Sequence, residues 1–247
     1  MKMYGTKIEI ESTPHSRLRV PRLVEEPLFE DTNEKVSDKV IEIVNYQFEN
    51  KVRDSIIKGF LFYGIPGTGK TTIAKKIAKK LKARFYFVDT STIYTQALGA
   101  SETRIKETFK QAEDQERAVI LFDDVESLLI NRSAVDIKFN MWEFSHDSVF
   151  FHCMDELDTS KVCVILTTNK VELLDTATID RLYSIEFKKP TITKSIKIME
   201  RKAKDADMKP DHIKNMKEYM KEHSNEFESI RDVLRYLTKQ YIESTKG

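Results

Sequence analysis

The chain has 247 residues, of which 40% are hydrophobic and 33% charged, a composition typical of one large globular domain or of a large and a small one. Its 41 basic and 40 acidic residues give a net charge of +1, so the composition does not indicate a globally basic nucleic-acid binder. No apolar run approaches the roughly 20 residues of a membrane-spanning helix, and the N-terminus lacks the apolar core of a signal peptide, so we expect no membrane contact. Cys153 and Cys163 form no Cys-x-x-Cys pattern and are expected to be reduced and buried, as in a cytoplasmic protein.

The first predicted element is an extended arm at residues 1–32, which contain three prolines and no clean hydrophobic period. The middle of this arm is basic, which is typical either of a solvated segment or of one that contacts a neighbour or a polyanion. Asn33 can then cap an amphipathic helix. Four apolar residues at a spacing of four predict its buried face: Val36, Val40, Val44 and Phe48.

A glycine-rich loop follows at residues 64–71, where the sequence GIPGTGKT fits the phosphate-loop pattern G-x-x-x-x-G-K-[ST] at every fixed position. An apolar run at 60–63 predicts a buried strand before it, and a helical pattern covers 70–81. Glycines let main-chain N–H groups close around phosphate oxygens, and the helix N-terminus adds its positive end. The predicted nucleotide-binding residues are Gly64, Ile65, Pro66, Gly67, Thr68, Gly69, Lys70, Thr71 and Thr72.

Two side chains of this loop have specific chemistry. Lys70 can reach the β- and γ-phosphates, and the Thr71 hydroxyl can ligate Mg²⁺. The alternative is a chance glycine loop between a strand and a helix, which the complete pattern in this setting disfavours. The sequence therefore predicts a site for ATP and Mg²⁺.

Strands are also predicted at residues 84–89, 119–122, 162–166 and 184–187, with a helix from Ser101, as its cap, to Glu116. Strands that alternate with helices predict an α/β fold whose parallel sheet has helices on both faces. After Pro190 the pattern is helical. We therefore expect an α/β nucleotide-binding domain at 33–190 and a small C-terminal α-helical lid domain at 191–247.

Two carboxylates, Asp123 and Asp124, follow the apolar run at 119–122. In a doubly wound sheet, ligands bind at the carboxyl ends of the strands. Asp123 is predicted to hold Mg²⁺ with Thr71, since Mg²⁺ prefers oxygen ligands. Asp124 is predicted to orient or deprotonate the attacking water. The alternative is an acidic strand end that only caps the next helix.

The order of these motifs resembles the AAA+ ATPases, and more narrowly the AAA branch of ring-forming remodelling ATPases, which are P-loop NTPases of the ASCE class. Residues 64–71 are similar to the family's G-P-P-G-T-G-K-T loop, and ILFDDVESLL at 120–129 resembles I-I-F-I-D-E-I-D-S-L. Three further segments resemble V-G-E-S-E, M-D-G-L and A-T-N-R-P-E-L-L-D of the family: residues 98–102, 154–157 and 167–175.

The resemblance implies further roles. Asn169, at the position called sensor 1, would hydrogen-bond the attacking water or the γ-phosphate, with a turn residue as the alternative. Arg181 would be an arginine finger for a neighbouring subunit, worth roughly 10³–10⁵ in rate, with a surface ion pair as the alternative. Arg231 would be a sensor-2 arginine on the γ-phosphate, although Arg235 lies one turn on and both arginines could be solvated. The implied catalytic set is Lys70, Asp124, Asn169 and Arg181.

The resemblance also implies a homo-oligomeric ring, with a hexamer among its sizes, that binds ATP and ADP. The expected function is an ATPase that couples hydrolysis to the remodelling of a macromolecular complex. Two alternatives stay open: a replication- or packaging-type ATPase that acts on DNA, and a nucleotide-gated assembly scaffold with little turnover.

Departures from the family pattern keep these alternatives open. The acidic pair is Asp123-Asp124 rather than Asp-Glu, and a carboxylate misplaced by about 1 Å can cost on the order of 10² in rate. Ala97 stands where the family carries an aromatic residue before V-G, which disfavours threading of an unfolded polypeptide. The R-P-G-R-F-D segment is shortened to residues 180–183, closer to the replication-type relatives.

An aromatic-rich segment at residues 131–151 separates the acidic motif from Asn169. It holds Trp142, Phe150 and Phe151 among other aromatic residues. It predicts either a helix packed by its aromatic side chains or a contact surface for protein or single-stranded nucleic acid, on which bases can stack.

Overall fold

The structure is a computed structural model that describes residues 34–90, 100–129, 144–174 and 179–245. In chain order the elements are α1 Glu34–Glu49, β1 Gly59–Tyr63, α2 Lys70–Lys80, β2 Arg84–Asp89, α3 Ala100–Glu113 and β3 Ala118–Asp123. They continue with α4 Phe144–Asp155, β4 Val162–Thr168, β5 Tyr183–Glu186, α5 Ile192–Asp205, α6 Pro210–Glu222 and α7 Ile230–Thr245. The predicted arm at 1–32 and the predicted threading position Ala97 lie outside the described residues.

The strands form one five-stranded sheet in the order β2-β3-β4-β1-β5, and all the pairings are parallel. Strand β4 therefore lies between β1, which precedes the glycine-rich loop, and β3, which ends at Asp123. Because the carboxyl ends of parallel strands meet at one edge, residues far apart in sequence become neighbours there. This sheet with its helices confirms the predicted α/β P-loop fold.

Both faces of the sheet are buried, which explains why the strands are apolar at consecutive positions. Phe60 and Phe62 pack with Ile73 of α2 and Val44 of α1 in one cluster. Leu61, between them, points to the other face. There it belongs to a second cluster, which includes α3 and α4 residues.

The C-terminal helices α5, α6 and α7 have an apolar cluster of their own, which contains Met199, Met220, Val233 and Leu237. Pro210 starts α6, where a missing N–H costs nothing because the first turn has no intrahelical acceptor for it. The predicted division into domains at residues 33–190 and 191–247 stays a prediction.

Helix α3 begins at Ala100, so Ser101 lies inside its first turn instead of capping it, and the helix ends at Glu113 rather than at Glu116. The earlier end has a physical reason: Ala112 is the last residue of the helix that is buried against the sheet, and polar residues follow it.

Part of the aromatic-rich segment lies in α4, and the rest, including Trp142, lies outside the described residues. Phe150 is fully buried, and its ring lies 5.1 Å from that of Phe122 and 5.9 Å from that of Phe109. At Phe150 the aromatic side chain therefore packs the core, as the first of the two interpretations expects.

In the described ranges, no helix has both the length and the apolar character that crossing a membrane requires. Cys153 and Cys163 are free thiols. Cys163 is buried in β4, where burial raises its pKa, whereas Cys153 is only half-buried.

Gly64 is expected to be indispensable for stability. It has a φ of 134°, which L side chains rarely adopt, and a Cβ at this position would overlap the main-chain carbonyl oxygen of Phe187. We expect Gly64→Ala to lose about 2–4 kcal/mol of unfolding free energy, measured by urea denaturation without nucleotide. The control is Gly59→Ala, which has no positive φ and which we expect to lose less, because its Cβ would meet Met154 Cε at 3.0 Å and Leu182 and the Val164 carbonyl oxygen at 3.1 Å, with no overlap as close as at Gly64. Equal losses in the two variants would contradict this prediction.

Candidate nucleotide-binding site

A cleft of about 370 Å³ opens at the carboxyl edge of the sheet, between the glycine-rich loop and the start of α7. Ten predicted site residues line it: Pro66, Gly67, Gly69, Lys70, Thr71, Thr72, Asp123, Asp124, Asn169 and Arg231. Three residues that sequence reasoning missed complete the lining: Thr167, Ile230 and Leu234. Gly64, Ile65, Thr68 and Arg181 are not among the lining residues.

The glycine-rich loop passes very close to the start of α7. A Cβ at Gly67 would lie 2.9 Å from Ser229 Oγ, and the φ of Gly67 is 77°, so the position requires glycine on both grounds. The main-chain N–H of Ile230 donates to the Gly67 carbonyl at 3.1 Å. Inside the loop, the buried Thr68 hydroxyl donates to the Ile65 carbonyl at 3.0 Å, which fixes the turn from within.

Lys70 is a cationic side chain of the cleft, as is Arg231, and only 6% of the surface of Lys70 is exposed. Its ammonium donates to the carbonyls of Gly64 at 2.7 Å and Ile65 at 3.1 Å and to Asn169 Oδ1 at 2.7 Å. These bonds use all three ammonium donors. Burial lowers the pKa of Lys70, and the nearby carboxylates of Asp124 and other acids oppose that effect.

Asp123 and Thr71, the two predicted Mg²⁺ ligands, are in direct contact. The Thr71 hydroxyl donates to Asp123 Oδ1 at 2.9 Å, and the Thr167 hydroxyl donates to the same oxygen at 2.5 Å. A hydroxyl and a carboxylate beside a phosphate-binding loop are hard oxygen donors that suit Mg²⁺ shared with phosphate and water. Among the residues described, no group of three or more His, Cys, Asp or Glu side chains is arranged to hold a metal by itself.

Asp124 follows β3 in a left-handed conformation, with φ 55° and ψ 57°. Its main-chain N–H donates to Thr167 Oγ1 at 3.1 Å, and its Oδ1 accepts from Asn169 Nδ2 at 2.8 Å. Burial raises the pKa of Asp124, and the negative charges of Asp123 and Glu126 raise it further. Asp is one of the few residues that tolerate this backbone, which gives a local reason for Asp in place of Glu.

Asn169 joins the two sides of the cleft. Its side-chain oxygen accepts from Lys70 and its side-chain nitrogen donates to Asp124, so one amide connects the loop after β1 to the end of β3. Its own main-chain N–H donates to Glu126 Oε1 at 2.6 Å. Sequence reasoning placed Asn169 here but did not find Glu126.

Two threonines missed by sequence reasoning hold the acidic strand end. Thr167 bonds both Asp123 and Asp124, and Thr90 donates to the carbonyls of Asp123 at 3.0 Å and Asp124 at 2.6 Å. Their position in the sequence could have identified them, because each is a polar residue directly after the carboxyl end of a predicted strand.

The three candidate arginines lie in different places. Arg231 lines the cleft, whereas Arg235 has 72% of its side chain exposed and pairs with Asp232 at 3.8 Å. Arg181 is exposed and lies two residues before β5, whose first residue pairs with Phe60 near the start of β1. The structure thus places Arg181 at the amino edge of the sheet, opposite its own cleft, with its guanidinium 5.0 Å from the ring of Phe151.

Three features define a P-loop nucleoside triphosphatase fold: the strand order of the sheet, the glycine-rich loop and the acidic end of β3. The sequence model of the ATPase family associated with various cellular activities (AAA) matches residues 60–190, more than half of the chain. The chain belongs to this AAA family of ATPases.

Several named proteins are similar to this chain. A putative cell division cycle ATPase of Plasmodium falciparum is 32% identical over 152 residues, the spastin homolog of Caenorhabditis elegans 30% over 149, and the 26S proteasome regulatory subunit 10B of Dictyostelium discoideum 36% over 127. These alignments cover 58%, 57% and 49% of this chain, but only 12%, 29% and 31% of the three relatives. The chain therefore spans less than a third of the length of each.

Proposed function

We propose that this chain binds ATP with Mg²⁺ and hydrolyses it, and that it works as a cytoplasmic homo-oligomer that remodels a macromolecular complex. The observation that carries this proposal is the meeting of Lys70, Asp123, Asp124 and Asn169 at one cleft beside the glycine-rich loop. Membership of the AAA family supports ATP as the nucleotide.

In the proposed binding step, the main-chain N–H groups of residues 64–71 and the N-terminus of α2 hold the phosphates. The Lys70 ammonium exchanges its contacts with the Gly64 and Ile65 carbonyls for phosphate oxygens, which bind a cation more strongly because they are charged. Arg231 contributes a second positive charge from the first turn of α7.

In the proposed hydrolysis step, Asp124 orients the attacking water and accepts its proton at the carboxylate. The causes that raise the pKa of Asp124 also make it a better proton acceptor. The Asn169 side chain, next to both Lys70 and Asp124, holds the water or the γ-phosphate in line. Thr71 and Asp123 would hold Mg²⁺, which when bound neutralises charge on the phosphate oxygens.

The oligomeric part of the proposal rests on Arg181. Tyr183, the first residue of β5, lies beside Phe60 of β1. Tyr63, the last residue of β1, lies three residues further along that strand, a distance of roughly 10 Å. The glycine-rich loop begins only after Tyr63. An exposed arginine at the opposite edge of the sheet suits the cleft of a neighbour better than its own. We propose that subunits assemble with Arg181 of one facing the cleft of the next.

The side chain of Asp124 is one methylene shorter than the Glu of the family pattern, which favours a second candidate function, a nucleotide-gated assembly with little turnover.

Asp124→Glu is expected to raise the turnover number by about tenfold to a hundredfold, because the extra methylene carries the carboxylate towards the attacking water. The left-handed backbone at this position should cost the variant about 1 kcal/mol of stability. Phosphate release at saturating ATP and urea unfolding measure the two effects, with the exposed Asp114→Glu as control. A turnover number at or below that of the wild type would show that the Asp124 side chain already places its carboxylate correctly for the attacking water.

The target of the proposed ATPase is tested by ATP turnover without DNA, with single-stranded DNA and with double-stranded DNA. Robust turnover that DNA does not change supports remodelling of a protein complex. Stimulation by either DNA supports the alternative of an ATPase that acts on nucleic acid. ATP-dependent assembly, followed by light scattering, with almost no phosphate release supports the scaffold.

A further inference from the structure

Glu126 lies in the short helical turn Val125–Ser127 that follows the acidic strand end. Its Oε1 accepts the main-chain N–H of Asn169 at 2.6 Å, the short distance expected of a bond to a charged oxygen. Its Oε2 is buried, and no described residue makes a hydrogen bond to it. Glu126 does not line the cleft, although its charge acts on both Lys70 and Asp124.

The state of Oε2 argues against a purely structural role for Glu126. A buried carboxylate oxygen without a hydrogen bond lowers the stability of the fold, because its hydration is not replaced. A residue that only filled the space beside the turn would be better as an apolar side chain, which leaves no oxygen without a hydrogen bond. Among the described residues, the contact that an apolar side chain could not make is the hydrogen bond from the Asn169 N–H to Glu126 Oε1.

The Asn169 backbone is held from two sides. Glu126 takes the N–H of Asn169, and the Thr168 hydroxyl takes the N–H of Lys170 at 2.9 Å. Asn169 directly follows β4, so the ladder of the sheet no longer restrains it. The two hydrogen bonds set the direction from which its side chain reaches Lys70 and Asp124.

We propose that Glu126 is a positioning residue of the hydrolysis site, which fixes the main chain of Asn169 so that the Asn169 amide spans Lys70 and Asp124. This inference rests on the proposed ATPase function. Glu126 itself touches no reacting atom. Its contribution is the placement of a side chain that does.

Glu126→Gln and Glu126→Met separate the two properties of this residue. Gln keeps an oxygen that can accept the Asn169 N–H, whereas Met has a similar unbranched shape and only a weak sulfur acceptor. We expect Glu126→Met to lower kcat for ATP by about tenfold to a hundredfold with KM within about threefold, because a misplaced Asn169 affects the transition state more than nucleotide binding. Glu126→Gln should restore most of kcat. The controls are Glu172→Gln and Glu172→Met, at an exposed glutamate three residues after Asn169.

The second measurement does not depend on turnover. In protein labelled with ¹⁵N-asparagine, the exchange of the Asn169 amide proton should accelerate in Glu126→Met and stay slow in Glu126→Gln. Equal kcat in the Met variant and the wild type, or equal losses in the Met and Gln variants, would overturn the proposal, as would unchanged amide exchange in Glu126→Met. A wild-type protein that binds no ATP or does not hydrolyse it would instead refute the proposed function, and the amide exchange would still decide the role of Glu126.

Discussion

Lys70→Ala is expected to abolish ATP hydrolysis and most ATP binding. The substitution removes the ammonium that lies among three acceptors and leaves Asn169 Oδ1 without its donor. It also removes a positive charge that acts on the carboxylates of Asp123 and Asp124, so that the cleft attracts the phosphates less. We expect phosphate release to fall by at least about 10²–10³-fold, the scale for removing one charged transition-state contact.

Calorimetric titration with ATP and Mg²⁺ measures the loss of binding, and a phosphate-release assay measures the loss of hydrolysis. The matched control is Lys79→Ala, at an exposed position of the same helix, which removes an equal charge away from the cleft. Turnover in the Lys70 variant equal to that of the Lys79 variant would refute the proposed site.

Arg181→Ala is expected to lose roughly 10³–10⁵ of the ATP turnover, the range for removal of an arginine that stabilises transition-state charge. The fold should survive, because Arg181 is exposed and its guanidinium lies over the ring of Phe151 at the protein surface. Nucleotide binding should change little, since Arg181 does not line the cleft of its own chain. Arg235→Ala, which removes another exposed arginine, is the control.

Mixing distinguishes a finger that acts on a neighbour from one that acts on its own chain. The Lys70→Ala subunit lacks a functional cleft but keeps Arg181 for the cleft of a neighbour. The Arg181→Ala subunit keeps a functional cleft but lacks the arginine. Mixed oligomers should therefore regain part of the turnover that each variant lacks alone. If every mixing ratio stays as inactive as the two separate variants, Arg181 does not work in trans.

The strands were largely predictable from sequence because the buried sheet requires long apolar runs. The end of β4 shows the limit of this signal. The apolar run stops at Leu166, but the strand continues through Thr167 and Thr168, which are buried. Their hydroxyls are satisfied by Asp123 and by the Lys170 N–H, a compensation that no single-sequence hydropathy pattern contains.

The lining of the candidate site was predictable where a continuous motif supplies it, as the glycine-rich loop supplies Lys70 and Thr71 and the acidic strand end supplies Asp123. The contacts between motifs were not, because they depend on the order of strands. Only the position of β4 between β1 and β3 brings Asn169 against both Lys70 and Asp124. Glu126 was missed for the same reason, since its partner is the main chain of a residue 43 positions away.

The hydrogen bond from the Ile230 N–H to the Gly67 carbonyl links the glycine-rich loop to the first residue of the final helix. A change in the loop that turns the Gly67 carbonyl alters its hydrogen bond to α7. Because such coupling is thermodynamically reciprocal, a shift of α7 also affects the loop. If the cleft binds nucleotide as proposed, a shift of α7 would therefore change the affinity for nucleotide without any contact to the phosphates.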